Sequence, residues 1–286
     1  MPGILLLGGS GRLGSALSNV LDGVDAPSST ELDLRDEDAL ARRIDELEPT
    51  GIINCAGLTD VDGCDRDPQA ADELNGYAPG RLAHRARQAG VPLIHISTDY
   101  VFSGRDEGVL AEDAELAPIN RYGQSKARGE GLVLDSGAQA LVARVQWLFG
   151  GPKGDFVRFV RARLLAGEEV PVVRDQIGVP SFTTDLAVQI EAVIHAQVVG
   201  LIHLGNTGEV SRQDQARQIA SDLDQKGEFR EVTWTELGRS APRPRRSVLD
   251  TSRIRDLGAS LPGGAKLIIS DWHQAQVRYL AELVQE

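Results

Sequence analysis

The feature that most limits what this chain can fold into lies at residues 4–14. Ile4-Leu5-Leu6-Leu7 is a short run without a polar residue, and Gly8-Gly9-Ser10-Gly11-Arg12-Leu13-Gly14 follows it directly. Leu13, Leu17 and Leu21 then recur at the spacing of one helix face. An apolar strand feeding a glycine-rich turn that opens a helix is the phosphate-cradling start of a wound α/β sheet. Glycine permits the tight turn and lets the backbone come close to a ligand. The helix start offers unpaired N–H groups and the positive end of its dipole to a diphosphate.

The chain beyond repeats the alternation. Gly51–Ala56, Val91–Ser97 and Ala140–Val145 read as strands, with a weaker one near Gly23–Ala26 that Pro27 cuts short. Helical patterns occupy Ala39–Leu47, Pro68–Ala89 and Arg121–Leu134. Strands apolar on both faces, separated by helices, predict an α/β fold with a Rossmann-like, doubly wound parallel sheet covered on both sides. After Trp147 the pattern loosens, and Gly150-Gly151-Pro152-Lys153-Gly154 is a break. A helix at Asp155–Ala166, a strand at Glu169–Val173, a helix at Thr184–Ala196 and a strand at Gly200–Leu204 follow, with a last helix from Asp271. The expected division is a dinucleotide-binding unit over residues 1–150, to which 183–206 return, and a smaller α/β C-terminal substrate unit over 151–286.

Charge narrows the partners. Thirty Lys and Arg against 42 Asp and Glu give a net charge of −12, which repels nucleic acid but not a small phosphorylated ligand. No apolar run approaches the ~18 residues of a membrane span, and no signal-peptide pattern stands at the start, so no membrane partner is expected. Cys55 and Cys64 make neither a disulfide framework nor a metal-ligand cluster; two reduced thiols in a cytoplasmic protein are expected. The histidines, His84, His95, His195, His203 and His273, are scattered and read as structural.

Tyr122-Gly123-Gln124-Ser125-Lys126 places a phenol and an ammonium four apart, on one helix face. The ammonium is expected to stabilise phenolate and lower the pKa of Tyr122, making it an acid or base at a carbonyl centre. A hydroxyl to hold the reacting oxygen is available where Ser97 and Thr98 close an apolar strand. Asn75, in the preceding helix, is placed to bind water or backbone in support of a proton path. The end of the second strand, near Ser28-Ser29-Thr30, lacks the carboxylate that often holds an adenosine ribose. Arg12 is placed to meet a ribose phosphate, and Asp33 to face the adenine.

Taken together, Gly8–Gly14, Asn54–Gly57, Asn75, Thr98, Tyr122 and Lys126 resemble the extended short-chain dehydrogenase/reductase superfamily. Finer matches resemble one branch, the dTDP-4-dehydrorhamnose reductases. They are Asn54 to Asp62 with its T-x-V-D, Ser97-Thr98-Asp99-Tyr100-Val101-Phe102, Pro118 to Lys126 with Gly129-Glu130, Arg144-Val145-Gln146-Trp147, Asp175 to Pro180, and Arg243-Pro244 with Ser247 and Leu249. The resemblance implies NADPH or NADH as cofactor and a nucleotide-sugar substrate reduced at C4. It casts Tyr122 as proton donor to the C4 oxygen, Lys126 as the group that lowers the pKa of Tyr122 and binds the nicotinamide ribose, and Thr98 as a second ligand of that oxygen. Asn75 completes the catalytic set, and Asp99 and Trp147 line the sugar pocket. Gly8, Ser10, Gly11, Arg12, Leu13 and Gly14 meet the diphosphate, Gly57, Leu58 and Thr59 pass beneath the cofactor, and Asp33 and Leu34 lie near the adenine.

Two departures stand out. Arg246 occupies a position where the branch often has Asn or Asp, and contact of Arg243, Arg245 and Arg246 with a substrate diphosphate stays open. Ser15-Ala16 lacks a glutamate that some relatives use for magnesium, so no metal is expected. Monomer and homodimer both remain open. Tyr100 after Thr98-Asp99 disfavours dehydratase chemistry, which calls for a carboxylate there. A reductase or epimerase of another nucleotide-linked deoxysugar, and a non-catalytic dinucleotide-binding regulator, are the alternatives.

Overall fold

The structure, a computed structural model, describes residues 3–105, 108–260, 267 and 269–285. β1 (Ile4–Leu7), β2 (Val24–Asp25), β3 (Gly51–Asn54), β4 (Leu93–Thr98) and β5 (Ala140–Val145) form one sheet with the strand Gly200–His203. Across the sheet the order is Gly200–His203, β5, β4, β3, β1, β2. Every pairing is parallel. The chain runs from β1 outward to β2 and then returns to the other side of β1. A crevice therefore opens outside the carboxyl ends of β1 and β3, the switch point of a wound sheet.

β1 is apolar throughout because both its faces are covered. Leu6 packs with Leu13, Leu17, Leu186 and Ile190 on one side, while Leu5 and Leu7 pack with Leu40, Ile44 and Leu82 on the other. β4 and β5 alternate in the same way: Ile94, Ile96, Leu141 and Ala143 join Leu6, whereas Leu93, Ala140 and Val142 join Leu5. Period-two alternation with apolar residues on both sides is the signature of a strand between two helix layers. Each fully buried leucine contributes about 2 kcal/mol of transfer free energy.

The helix Arg12–Val20 and the helix Thr183–His195 supply the first layer; Glu37–Leu47 and Ala78–Ala89 supply the second. Local chemistry sets where helices begin. The carboxylate of Asp36 accepts from Ala39 N, the Asn120 amide oxygen from Gly123 N, and the Asp155 carboxylate from Arg158 N. Each such cap stabilises its helix by about 1 kcal/mol.

β2 is short as expected, only Val24–Asp25, with Pro27 just beyond it. One element differs from the sequence-based expectation. The helix expected over Pro68–Ala89 is instead three segments: Pro68–Ala71, a wider π-type stretch Asp72–Tyr77, and Ala78–Ala89. Pro79 has no N–H for the carbonyl four residues back, that of Asn75, and ordinary α-helical bonding cannot continue through it.

The loosened pattern after Trp147 conceals a second core. Phe149 and Phe182 stack at 5.3 Å, with Tyr279 tilted against both. Val157, Val160 and Leu164 of the helix Phe156–Leu165, Ile219 of Arg212–Asp222 and Leu280 of Trp272–Gln285 close around them. The strand Val170–Val173 pairs in parallel with Phe229–Val232. Ile177–Gly178 lies between Val210–Ser211 and Arg246–Ser247.

Candidate active site

At the carboxyl ends of the strands a cleft of about 730 Å³ runs from the glycine turn to the second core. The turn that follows β1 is built by close backbone approach. Gly8 has φ +81°, and a Cβ there would stand 2.6 Å from the Ala56 nitrogen. A Cβ on Gly14 would run into the Gly8 carbonyl oxygen. Gly11 begins the helix with no side-chain cap and no acid in the first turn. Gly8, Ser10, Gly11, Arg12, Leu13 and Gly14 all line the cleft. A phosphate group suits such a start, because the helix dipole is left without an anionic side chain to answer it. The cradle therefore fits the diphosphate of a dinucleotide.

Asp33 and Leu34 also line this end. Asp33 accepts from Arg35 N at 2.9 Å and Nε at 3.0 Å, and the Arg35 guanidinium lowers its pKa. The Arg12 guanidinium donates to the Gly154 carbonyl, tying the turn to the 150–154 segment.

Gly57, Leu58 and Thr59 form the cleft wall after β3. Their position is fixed by Asn75, whose side chain is wholly buried. Asn75 Oδ1 accepts from Leu58 N at 2.8 Å, while Nδ2 donates to Leu58 O at 3.0 Å and to Ser125 Oγ at 3.1 Å. Both amide hydrogens are thus spent. The expected backbone contact of Asn75 is made: its amide clamps the 57–59 wall to the helix Arg121–Leu134.

At the other end stand Tyr122, Lys126 and Thr98, brought together by that helix and β4. Tyr122 meets Tyr100 edge to face, with ring centroids 5.5 Å apart. The Thr98 hydroxyl lies within hydrogen-bonding reach of the phenol. The expected lowering of the Tyr122 pKa is not seen. Burial pushes the phenol well above its ordinary value, and the Thr98 contact only partly opposes this. Lys126, one turn on, faces elsewhere: its Nζ donates to the Ile96 carbonyl at 2.6 Å and lies 3.3 Å from His95 Nε2. A buried ammonium turns to the nearest fixed dipole, here the Ile96 carbonyl of β4. Burial brings the Lys126 pKa down to about 8. His95, wholly buried, is held well below its ordinary pKa by burial and by Lys126.

Thr98 Oγ1 donates to Asp99 Oδ1 at 3.0 Å and accepts from Tyr100 N at 3.2 Å. Ser247 donates to the other Asp99 oxygen. Burial raises Asp99 to about 6 despite these bonds. Trp147 lines the cleft opposite with φ +46°, a left-handed backbone rare for a bulky side chain. The Arg212 guanidinium lies over its ring, 3.5 Å from the centroid.

The motif residues outside the cleft turn out to be braces. Arg243 Nη2 meets Asp62 Oδ2 at 2.6 Å, with side chains only 5% and 6% exposed. Ser240 N and Ala241 N donate to the same carboxylate. Arg243 is thereby committed, Arg246 pairs with Glu209 at 2.6 Å, and Arg245 is largely exposed. Arg144 of β5 grips Glu130 through Nε and Nη2. Among the described residues no three His, Cys, Asp or Glu side chains gather as a metal site, and no helix is long and apolar enough to cross a membrane.

Arg212 escaped the sequence reading. It lies on the cleft, stacked on Trp147 and Phe156, with a bond to Gln215 Oε1 at 3.0 Å and no ion pair among the described residues. Its only sequence signal is its place after the Ser211 cap, which says nothing about what it faces.

A glycine-cradled cleft at the switch point of a wound sheet, with Tyr122, Lys126 and Thr98 at its rim, defines a dinucleotide-binding enzyme of the extended short-chain dehydrogenase/reductase class. Within that class, the family described as "RmlD substrate binding domain" matches residues 1–283, and the chain belongs to it. It is similar to the dTDP-4-dehydrorhamnose reductase of Mycolicibacterium smegmatis, at 35% identity over 98% of this chain and 86% of that one. It is also similar to a probable dTDP-4,6-dihydroxy-2-methyloxan-3-one 4-ketoreductase of Streptomyces antibioticus, at 37% identity over 95% and 92%. A crystal structure of the Bacillus anthracis dTDP-4-dehydrorhamnose reductase in complex with NADP superposes with a TM-score of 0.91, at 30% identity, covering 98% of this chain and 99% of that one.

Proposed function

We propose that this protein reduces the C4 ketone of dTDP-4-dehydro-L-rhamnose to dTDP-L-rhamnose, with NADPH or NADH as cofactor. The observation that carries the reading is the meeting of Tyr122, Lys126 and Thr98 in one cleft with the glycine cradle. The names of the similar reductases support the substrate, and the NADP-bound relative supports the cofactor. When bound, the reduced nicotinamide supplies a hydride.

Tyr122 gives its proton to the C4 oxygen. Burial keeps the phenol protonated at neutral pH, so Tyr122 holds the proton that is given as charge develops on the substrate. The Thr98 hydrogen is spent on Asp99 in the free protein, so Thr98 turns toward the cleft to hold a ketone oxygen, leaving Asp99 with Ser247. Lys126 holds the cofactor ribose, and Asn75 keeps the wall at 57–59 in place. Asp99 and Trp147 contact the sugar. With Arg243 committed to Asp62, we assign Arg212 to the negatively charged part of the substrate.

The unit that takes the cofactor comprises 1–150 together with 183–206, supported by the pairing of Gly200–His203 with β5. Residues 151–286 mainly supply the sugar side. We place the enzyme in the cytoplasm, in keeping with its free thiols at Cys55 and Cys64.

The test is direct. The protein is incubated with NADPH or NADH and a set of dTDP-4-keto-6-deoxysugars, and loss of the reduced cofactor is followed. Oxidation with the rhamnose precursor is expected; none with any 4-keto sugar would discard the reading.

A further inference from the structure

β3 and β4 place Asn54 and His95 side by side in register, both fully buried. Their hydrogen bonds form a chain with one possible polarity. Ala56 N, a backbone donor, gives its hydrogen to Asn54 Oδ1 at 3.0 Å. That fixes which end of the amide is oxygen, so Asn54 Nδ2 is the donor toward His95 Nδ1 at 3.2 Å. A neutral imidazole that accepts at Nδ1 carries its hydrogen on Nε2. Nε2 lies 3.3 Å from Lys126 Nζ. The opposite tautomer would set an N–H against the Asn54 amide hydrogens. Turning the amide over would set those hydrogens against the Ala56 N–H.

We propose that His95 is a positioning residue for Lys126: the Ala56 amide, through Asn54, fixes the imidazole as its Nε2–H tautomer, so a ring N–H rather than a ring lone pair faces the Lys126 nitrogen. An N–H aimed at an ammonium is unfavourable, whereas the same N–H donates to the lone pair of an amine. The contact therefore adds to burial in favouring the amine, and the two together leave Lys126 poised to release its proton near neutral pH instead of acting as a permanent cation. The other groups that bear on Lys126 are Cys55 at the end of β3 and Glu130 on its own helix; Glu130 is already held by Arg144, and the Cys55 thiol is kept neutral by burial. Neither replaces His95 as the neighbour within hydrogen-bonding distance. The Ile96 carbonyl accepts one Nζ hydrogen in either state.

This inference deepens the reading of Lys126 in the proposed reductase, but its test needs no substrate. Long-range ¹H–¹⁵N spectra of the labelled full chain report the tautomer of each histidine. His95 is expected to stay neutral from about pH 6 to 9 with its hydrogen on Nε2. A hydrogen on Nδ1, or an imidazolium, would overturn the proposal even if no variant folds. The lysines are Lys126, Lys153, Lys226 and Lys266, few enough to titrate individually by ¹³Cε labelling. In wild type Lys126 is expected to titrate near 8. In His95→Met, which removes the ring N–H but keeps the site apolar, its midpoint is expected to rise by about one unit. A simple desolvating role for His95 predicts no rise or a fall, and either result sinks the idea. Failure of the protein to reduce any 4-keto sugar would remove the proposed reaction while leaving these two measurements readable.

Discussion

Asp62 and Arg243 stand 181 positions apart and meet as a buried, two-pronged ion pair, Nη1 to Oδ1 at 3.0 Å and Nη2 to Oδ2 at 2.6 Å. One partner lies in the loop-and-helix region after β3, and the other precedes the strand Arg246–Ser247. A parallel relationship joins Asp99 at the end of β4 to Ser247. Residues that read as two separate motifs are thus the two halves of one set of braces, tying the segments after β3 and β4 to residues 243–247.

Cutting the first brace is expected to be severe. Asp62→Ala strands a guanidinium that is nearly inaccessible to water, at a cost of about 3–5 kcal/mol in urea unfolding. The pair also makes stability sensitive to acid. Arg243 holds the folded Asp62 carboxyl well below the ordinary range, whereas in the unfolded chain it titrates at about 3.9. Its contribution is therefore complete above that value and drains away as the pH falls further. In Asp62→Asn that part of the acid dependence disappears, which a series of urea midpoints from about pH 3 to 7 will show.

Asp99 bears on stability with the opposite sign. Burial raises it to about 6, so between its unfolded and folded pKa values the folded state holds a proton that the unfolded state has lost. Stability falls as the pH climbs through that window, and the cost is complete above it. Asp99→Asn is expected to gain about 1–3 kcal/mol at pH 8 and nothing near pH 4, measured by denaturant unfolding.

Removing the phenolic hydroxyl tests the proton donor. Tyr122→Phe keeps the ring edge to face with Tyr100, and turnover of the keto sugar is expected to drop about 10²- to 10⁴-fold. NADPH binding, followed by fluorescence, is expected to hold. Equal turnover in the two proteins would assign the proton to another group.

Asn75→Leu leaves the Leu58 N–H and carbonyl without their buried partner, a loss of about 1–3 kcal/mol for each unsatisfied group, while Ser125 keeps its bond to the Tyr122 carbonyl. Weaker NADPH binding is expected to accompany the lower unfolding midpoint, because the 57–59 wall is no longer clamped. A variant that unfolds earlier yet binds NADPH as before would separate the clamp from the cofactor site.

For Arg212→Ala the expected signature is selective. The KM for the keto sugar rises about tenfold or more, the loss of one charge-assisted contact, while the NADPH dissociation constant does not change. An unaltered KM would free Arg212 of any role in holding substrate anions.

The sheet and the close-packed glycine turn after β1 were legible because their signals are local. Ile4–Leu7, Gly8–Gly14 and the helix after them are contiguous, and each obeys a short-range rule of period or backbone freedom. Tyr122 and Lys126 were readable for the same reason, since four residues on a helix return to one face. Pro79 shows the limit of that approach. The pattern through 68–89 is helical, but one missing N–H widens the turn that carries Asn75.

The sequence by itself determined the alternation of strands and helices, the cradle after β1 and which side chains share the helix face at the rim. Only the tertiary structure decided what those side chains do there. Lys126 turns to Ile96 and His95 instead of the phenol, Asn75 spends its amide on Leu58 and Ser125, and Arg243 is taken by Asp62. Periodicity is a property of neighbouring residues, whereas desolvation and ion pairing depend on groups far apart in the chain. Which dipole or charge lies within reach of a buried nitrogen is fixed only once the strands and loops that carry it have packed together.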